Sequence, residues 1–179
     1  MIVLRPADAN ETSYAWKIAL QSKSNPVAIA LTRQGLPTIN REVYASAENV
    51  EKGGYVLNTD VENPDVILLA SGSEVELVLG AAEELKKQNV AARVVNMVSF
   101  ELFEAQSDEY KESVLPKNVN ARVSVEAGLS FGWHKYLGLE GKAISLEHYG
   151  ASAPAGVLFE KYGFTVDNVV KTALEVVKK

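Results

Sequence analysis

The sequence predicts an α/β fold with three layers, in which a parallel sheet is covered by helices on both faces. Short runs of small and β-branched apolar residues alternate along the chain with longer segments of good helix formers, as expected of βαβ units. The run "VILLA" is apolar throughout, which is typical of a strand buried on both faces. Right-handed crossovers then place successive strands in one parallel sheet. The predicted architecture is Rossmann-like, although the chain carries no dinucleotide-binding fingerprint.

The first forty residues predict one helix followed by one strand. Asp8 is expected to cap the helix, and Glu11, three residues later, completes a start that resembles a capping box. The strand is predicted over residues 27–32. One helix and one strand cannot bury a core of their own. We therefore interpret this segment as the end of a domain whose other strands lie upstream, or as an arm that docks on a neighbour.

The composition of residues 40–64 predicts a linker with one short strand, because the segment is polar and contains the Gly-Gly, Asn and Pro residues that favour turns. Residues 60–179 alternate regularly between strand-like and helix-like segments and predict one compact α/β domain. The last helix is expected to be capped by Thr165, with Asp167 in its first turn. Strands are predicted over residues 65–72, 90–97, 121–127 and 143–150, and helical segments over 73–89, 99–115, 131–138 and 156–179.

The composition limits the partners of the chain. The formal net charge is −5 and no run of Lys and Arg stands out, so we expect neither nucleic acid nor an acidic membrane surface to be the main partner. No apolar stretch reaches the roughly 18–20 residues of a membrane span, and the N-terminus lacks the basic-then-apolar layout of a signal peptide. We therefore expect a cytoplasmic protein.

Two residue types limit the chemistry. The sequence has no Cys, which excludes disulfides, zinc–thiolate sites and a cysteine nucleophile, and fits a reducing compartment. His134 and His148 are the only histidines and lie 14 positions apart, a spacing that matches no compact metal-ligand pattern. We therefore expect no metal site within this chain.

The turn "LLASGSEVE" follows the first strand of the larger domain, where doubly wound folds often bind ligands. Gly72 permits a tight turn, and the hydroxyls of Ser71 and Ser73 with the free N–H groups of a helix start could hold an anion. The alternative, which we favour, is that a serine only caps the helix. The turn has one glycine where a dinucleotide fingerprint has three, and it has no P-loop lysine.

The stretch "VSVEAGLSFGWHKY" places Glu126 just after a predicted strand and His134 a few residues later. A carboxylate beside an imidazole could form an acid–base pair. Backbone capping by Glu126 and packing by Trp133 are the alternatives that we favour, since nothing in the sequence brings the two side chains together. His148 raises the same question and has no obvious partner.

Arg33 lies just past the predicted strand 27–32, at the carboxyl end of that strand. Open α/β sheets bind ligands at this edge, and the guanidinium fork suits a phosphate or a carboxylate. The alternative, which the residues alone favour, is an arginine that simply leaves a sheet edge for solvent, as is common. The phosphate interpretation stays open.

Seven stretches in one order resemble the C-terminal part of bacterial transketolases over nearly the whole chain. They are "LRPADANETSYAWKIAL", "PVAIALTRQGLP", "KGGYVL", "ASGSEVELVLGAAEEL", "ARVVNMVSFELFEAQSDEYKESVLP", "RVSVEAGLSFGWHKYLG" and "YGASAPAGVLFEKYGFT". The family has three α/β domains. The resemblance implies that residues 1–45 are the end of the middle, pyrimidine-binding domain, that 46–59 form the linker, and that 60–179 are the transketolase C-terminal domain.

The resemblance also implies a function. Transketolases of the pentose phosphate pathway move a two-carbon ketol unit between ketose and aldose phosphates, with thiamine diphosphate and Mg or Ca, usually as homodimers. Arg33 matches the arginine of the family's "TRQ" stretch, which binds the phosphate of the sugar substrate. The family's Gly-Asp-Gly metal motif, cofactor-activating Glu and substrate-facing His residues have no counterpart here. The chain alone is therefore expected to bind no cofactor, to hold no catalytic residue and to be inactive.

Three alternatives remain open. The chain could be the small subunit of a split transketolase, which would pair with a separate chain that carries the cofactor domain. It could instead be a non-catalytic dimerisation or assembly domain. Within the thiamine-diphosphate enzymes, a dihydroxyacetone synthase or a deoxyxylulose phosphate synthase is a further alternative, although "LTRQGLP" is more similar to transketolase.

Overall fold

A computed structural model describes residues 1–178 and shows an α/β protein with two sheets. The smaller sheet pairs β1 (Ile2–Leu4) with β2 (Val27–Ile29) in parallel, and α1 (Ala9–Gln21) connects the two strands. The predicted strand 27–32 is therefore shorter than expected. Strand β1 was not predicted, because three residues are too few to show a periodicity.

The larger sheet has five strands in the order β3-β5-β4-β6-β7. Its three central strands and β7 run parallel, as predicted, whereas β3 pairs antiparallel with β5 at one edge. The strands are β3 (Gly54–Val56), β4 (Val66–Ala70), β5 (Ala92–Met97), β6 (Arg122–Val125) and β7 (Lys142–Ile144). The predicted α/β class is confirmed, with one antiparallel edge that the sequence did not indicate.

Helices cover both faces of the larger sheet and divide its core into two clusters. On one face, alternate strand residues such as Leu68 and Val123 pack against α2 (Val75–Lys87) and α7 (Val166–Val177). On the other face, Ile67 and its neighbours pack against α3 (Phe100–Glu104), α4 (Asp108–Val114) and α5 (His134–Leu137). A further helix, α6 (Ala155–Tyr162), precedes α7.

The helix starts agree with the predicted caps at both ends of the chain. The Asp8 carboxylate accepts a hydrogen bond from the Glu11 amide at the start of α1. Thr165 accepts from the Asn168 amide at the start of α7, whose first turn contains Asp167. The predicted helical segment 99–115 is two helices, because the chain turns at residues 105–107. Lys179, the last residue of the predicted domain, lies outside the described residues.

The segment predicted as a linker is partly folded onto the body of the protein. It contains a 3₁₀ helix, Ala47–Lys52, followed by β3. Val50 and Tyr55 are buried, so this segment contributes to the core. The division of the chain at residues 46–59 stays a prediction. Within residues 1–178, no helix is long and apolar enough to cross a membrane.

Candidate functional site

Arg33 lies in a bend four residues beyond the end of β2. Its side chain is exposed and makes no hydrogen bond or ion pair with any other residue between Met1 and Lys178. The neighbouring side chains of Thr32 and Gln34 are hydrogen-bonded to each other. The structure thus presents a solvent-accessible guanidinium at the carboxyl edge of the smaller sheet, which is where the sequence placed it.

The segment that carries Arg33, residues 31–38, is here called the Arg33 loop. The amide of Ala30 donates to the carbonyl oxygen of Leu4 at 2.9 Å just before this loop. The amide of Ile39 donates to Asp8 Oδ2 at 2.9 Å just after it. The loop is therefore fixed at both ends to residues of the β1–α1 connection.

Two clefts lie beside the Arg33 loop. The larger, of about 440 Å³, separates the start of the loop from the turn after β4. The smaller, of about 180 Å³, separates the end of the loop from the first turns of α2. The larger cleft is lined by residues that include Arg5, Thr32, Gln34, Ser73, Leu158 and Phe159.

A cluster of charges lies beside the larger cleft, which Arg5 and Glu74 line. Arg5 Nη2 lies 3.3 Å from Glu74 Oε2, and Arg5 Nη1 contacts Glu126 Oε1. Ser71 Oγ donates to Glu126 Oε2 at 2.8 Å. Glu74 and Glu126 are buried, so their desolvated charges are compensated mainly by Arg5 and by serine hydroxyls. Sequence reasoning missed this cluster.

The turn after β4 does not have the serine cap that we favoured. Neither Ser71 nor Ser73 accepts a hydrogen bond from the start of α2, and both hydroxyls instead donate to carboxylates. Gly72 has a φ of +57°, a left-handed conformation that favours glycine. Two buried carboxylates next to this turn oppose the binding of an anion there.

Glu126 and His134 do not form a pair. Glu126 is held by Arg5 and Ser71, whereas the exposed His134 has its Nε2 3.3 Å from Ser130 Oγ. Trp133 is buried and packs edge-on against a neighbouring ring, as the packing alternative predicted. Backbone capping by Glu126, the other alternative that we favoured, is not what the structure shows.

His148 lies on the surface, where its ring contacts Tyr149 and Tyr162. Nδ1 is 2.7 Å from the carbonyl oxygen of Tyr149, and the ring packs against that of Tyr162 with centroids 5.3 Å apart. Neither contact resembles an acid–base pair. The geometry therefore gives no support to an acid–base role for His148.

A second polar network lies in the interior between the two sheets. Glu11 is fully buried, and its Oε1 accepts hydrogen bonds from Asn96 Nδ2 at 2.7 Å and from the Tyr55 hydroxyl. Arg41 Nη2 lies 3.3 Å from the same oxygen and 3.1 Å from Asp8 Oδ2. Burial and the adjacent Glu11 carboxylate raise the pKa of Tyr55 well above its usual range. A sequence signal that could have linked this network to the larger sheet is the polar Asn96 within a predicted buried strand.

The described residues do not form a site for a metal-bound diphosphate. Between Met1 and Lys178 there is no group of three or more His, Asp or Glu side chains that could hold a metal ion. The charged groups that do cluster, around Arg5 and around Glu11, are already paired with one another. Within the described part of the chain, these paired charges leave no acidic cluster that could hold the metal ion of a bound diphosphate.

Comparison with known proteins identifies the family of the chain. Residues 53–165 match the model of the transketolase-like TK C-terminal domain. The chain belongs to this family. Transketolase from Aquifex aeolicus is 54% identical over 173 residues, which are 97% of this chain and 25% of that protein. The resemblance found in the seven stretches is thus confirmed, and the chain spans about a quarter of this relative.

Solved transketolases share the fold of the chain. The structure of transketolase from Leishmania mexicana matches with a TM-score of 0.91 and 44% identity, over 99% of this chain and 25% of that one. A Pichia stipitis transketolase, solved in complex with sedoheptulose 7-phosphate, matches with a TM-score of 0.89, 41% identity and the same coverage. A split-gene transketolase, described as an inactive β4 tetramer, matches with a TM-score of 0.79 and 28% identity, over 99% of this chain and 58% of that one.

Proposed function

We propose that the chain is the C-terminal part of a transketolase, whose complete form transfers a two-carbon ketol unit between ketose and aldose phosphates. The observation that carries the proposal is the match to transketolases over almost the full length of this chain, in sequence and in fold. The reaction belongs to the pentose phosphate pathway. The complete enzyme is proposed to be a cytoplasmic homodimer.

Within this enzyme, Arg33 is proposed to bind the phosphate group of the sugar. Its exposed guanidinium, at the carboxyl edge of the smaller sheet, is the support from this structure. A planar guanidinium can donate two parallel hydrogen bonds to phosphate oxygens. The similar Pichia stipitis transketolase, solved with a sugar phosphate, supports a substrate of this class. Arg33 would orient the substrate and supply binding energy at a distance from the reacting carbon.

The complete enzyme is proposed to use thiamine diphosphate with Mg or Ca. When bound, this cofactor supplies a carbanion that acts as nucleophile and an electron sink. The residues of this chain do not fit it, since the sequence has no Gly-Asp-Gly motif and the described acids form no ligand cluster. The isolated chain is therefore proposed to be inactive.

The direct test is an assay of the full-length enzyme that contains this sequence. With thiamine diphosphate and Mg, it should convert a ketose phosphate donor and an aldose phosphate acceptor into the ketol-transfer products. Omitting the acceptor should prevent formation of the longer ketose. An enzyme that forms no transfer product with any pair of phosphorylated sugars would contradict the proposal.

A small subunit of a split transketolase is the second candidate function. The support is the solved split-gene transketolase, more than half of which is matched by this chain. Mixing this chain with a separately produced chain that carries the cofactor domain should then restore activity. If the coding sequence instead continues upstream in one reading frame through the cofactor domain, the split arrangement is wrong.

A further inference from the structure

We infer that Asp8 is a positioning residue that sets the orientation of the Arg33 loop, and through it the affinity for phosphorylated substrates. The inference rests on the proposed role of Arg33 and adds a residue that has no direct contact with the substrate. Asp8 was predicted only as a helix cap, and the structure shows that its carboxylate also contacts a second segment of the chain.

The two carboxylate oxygens of Asp8 accept hydrogen bonds from different segments of the chain. Oδ1 accepts a hydrogen bond of 2.8 Å from the Glu11 amide and caps α1. Oδ2 accepts from the Ile39 amide at 2.9 Å and from Arg41 Nη2 at 3.1 Å, at the end of the Arg33 loop. The side chain of Asp8 is buried, so these bonds are shielded from competition by water.

Among the described residues, few contacts besides the one with Asp8 hold the Arg33 loop. Within residues 1–178, the backbone between Leu31 and Thr38 makes no hydrogen bond to the rest of the protein. Clefts of about 440 and 180 Å³ separate it from the turn after β4 and from α2. The loop is fixed at Ala30 and again at Ile39, and the second point is the carboxylate of Asp8.

Asp8 is itself fixed to the body of the protein. Arg41 Nη2 joins its carboxylate to that of Glu11, and Glu11 accepts from the Asn96 side chain in β5. Arg41 also donates to the carbonyl oxygen of Ala45 at 2.8 Å. The end of the Arg33 loop is thus tied through buried hydrogen bonds to the larger sheet. Such ties limit where the Arg33 guanidinium can point, which is what a phosphate-binding arginine requires.

The test is Asp8→Asn in the full-length enzyme. Asparagine caps helices as well as aspartate does, so its oxygen can keep the bond to the Glu11 amide. Its NH₂ group then takes the place of Oδ2 and cannot accept hydrogen bonds from the Ile39 amide and Arg41. The end of the loop is therefore released. We expect the KM for a phosphorylated acceptor to rise about tenfold while kcat changes less than about twofold. The KM for an unphosphorylated aldehyde should not change.

A matched control is Asp65→Asn. The exposed Asp65 also accepts a backbone hydrogen bond, from Ala91 at 2.8 Å, but on a different segment. The same chemical change there should leave both KM values unaltered. An Asp8→Asn enzyme whose KM rises equally for phosphorylated and unphosphorylated acceptors would overturn the inference.

Two further measurements separate this inference from the proposed function. Hydrogen exchange of the Ile39 amide should be faster in the Asp8→Asn chain, and unchanged protection would rule out release of the loop. Arg33→Ala serves as the reference: if it does not discriminate between the two acceptors, the phosphate role of Arg33 fails. If Arg33→Ala discriminates and Asp8→Asn does not, only the positioning role fails.

Ile39→Pro provides a second variant if Asp8→Asn does not fold. Proline has no backbone N–H, so this change removes the hydrogen bond from residue 39 to Asp8 and leaves the bond between Asp8 and the Glu11 amide intact. The same rise in KM, confined to the phosphorylated acceptor, is expected. The absence of any rise in a folded Ile39→Pro enzyme would overturn the inference.

Discussion

Arg5 and Glu126 are in direct ionic contact, although one follows β1 of the smaller sheet and the other follows β6 of the larger sheet. The backbone of Arg5 takes part in the same junction: its amide donates to the carbonyl oxygen of Val98 at 2.8 Å, and its carbonyl accepts from the Gly72 amide at 3.0 Å. Arg5 therefore joins the end of the smaller sheet to the residues that follow three strands of the larger sheet, β4, β5 and β6.

Replacing Arg5 with Ala should destabilise the chain. The change leaves the buried carboxylates of Glu74 and Glu126 without their cation. Breaking a buried pair in this way typically costs about 3–5 kcal/mol, and we expect about 2–3 kcal/mol here because Arg5 is partly exposed. Urea unfolding measures the loss. Lys87→Ala, which breaks an exposed pair with Glu84, should cost less than about 0.5 kcal/mol, and equal losses in both variants would contradict the prediction.

Replacing Arg33 with Ala in the full-length enzyme should weaken the use of phosphorylated sugars. We expect the KM for a phosphorylated acceptor to rise by about 10–100-fold, since charge-assisted hydrogen bonds to the phosphate are lost. The KM for an unphosphorylated acceptor should stay nearly constant in steady-state kinetics. Arg33→Lys keeps the charge but not the fork, and should fall between wild type and Arg33→Ala. An equal rise for both acceptors would remove the phosphate role.

Thiamine diphosphate should not bind to the isolated chain. The described residues provide no metal-ligand cluster, and the sequence lacks the family's Gly-Asp-Gly motif. Isothermal titration of the chain with thiamine diphosphate and Mg should give only the heat of dilution. The full-length enzyme serves as the positive control, and micromolar binding by this chain alone would show that the prediction is wrong.

Alkaline pH should destabilise the chain through tyrosines that are buried, such as Tyr55 and Tyr136, or half-buried, such as Tyr110. Burial raises the pKa of Tyr110 to about 12, above the value of about 10 that an unfolded tyrosine has. The folded state thus favours the neutral phenol. Its contribution to stability is complete below pH 10 and is lost as the pH rises from about 10 to 12. Burial also raises the pKa of Tyr55 and Tyr136.

Urea unfolding at several pH values between 9 and 12 tests this prediction, with absorbance of the phenolate as an independent measure of ionisation. Tyr110→Phe should reduce the slope of stability against pH in this range. The variant also loses the hydrogen bond from Tyr110 to the carbonyl oxygen of Gly54, so the slopes are compared and not the absolute stabilities. An identical slope in both proteins would contradict the assignment to Tyr110.

The elements that the sequence predicted well are those with a long periodic pattern. Helices α2 and α7 each span more than three turns, and each has an apolar face that is buried against the larger sheet. Strand β1 was missed because three residues carry no period. The antiparallel pairing of β3 was missed because its partner, β5, lies about forty residues away and local composition does not specify direction.

The candidate site was predictable in one part only. The place of Arg33 beyond β2 follows from the order of strand and turn, which is local information. The cluster of Arg5, Glu74 and Glu126 joins residues that are between 52 and 121 positions apart. Without the sheet order, Glu126 had no visible partner, and His134, its neighbour in sequence, was considered instead. Side-chain pairing across two sheets is a tertiary property that a single sequence does not reveal.

The buried network around Glu11 has a consequence for how the chain can be divided. Glu11 and Arg41 belong to residues 1–45, whereas Tyr55 and Asn96 belong to the remainder. Two polypeptides made separately, with a break at residue 45, would each expose half of this network and half of the contact between Arg5 and Glu126. Each half would then hold charged and hydrogen-bonding groups whose partners lie on the other half, so we expect neither piece to be as stable alone as within the intact chain.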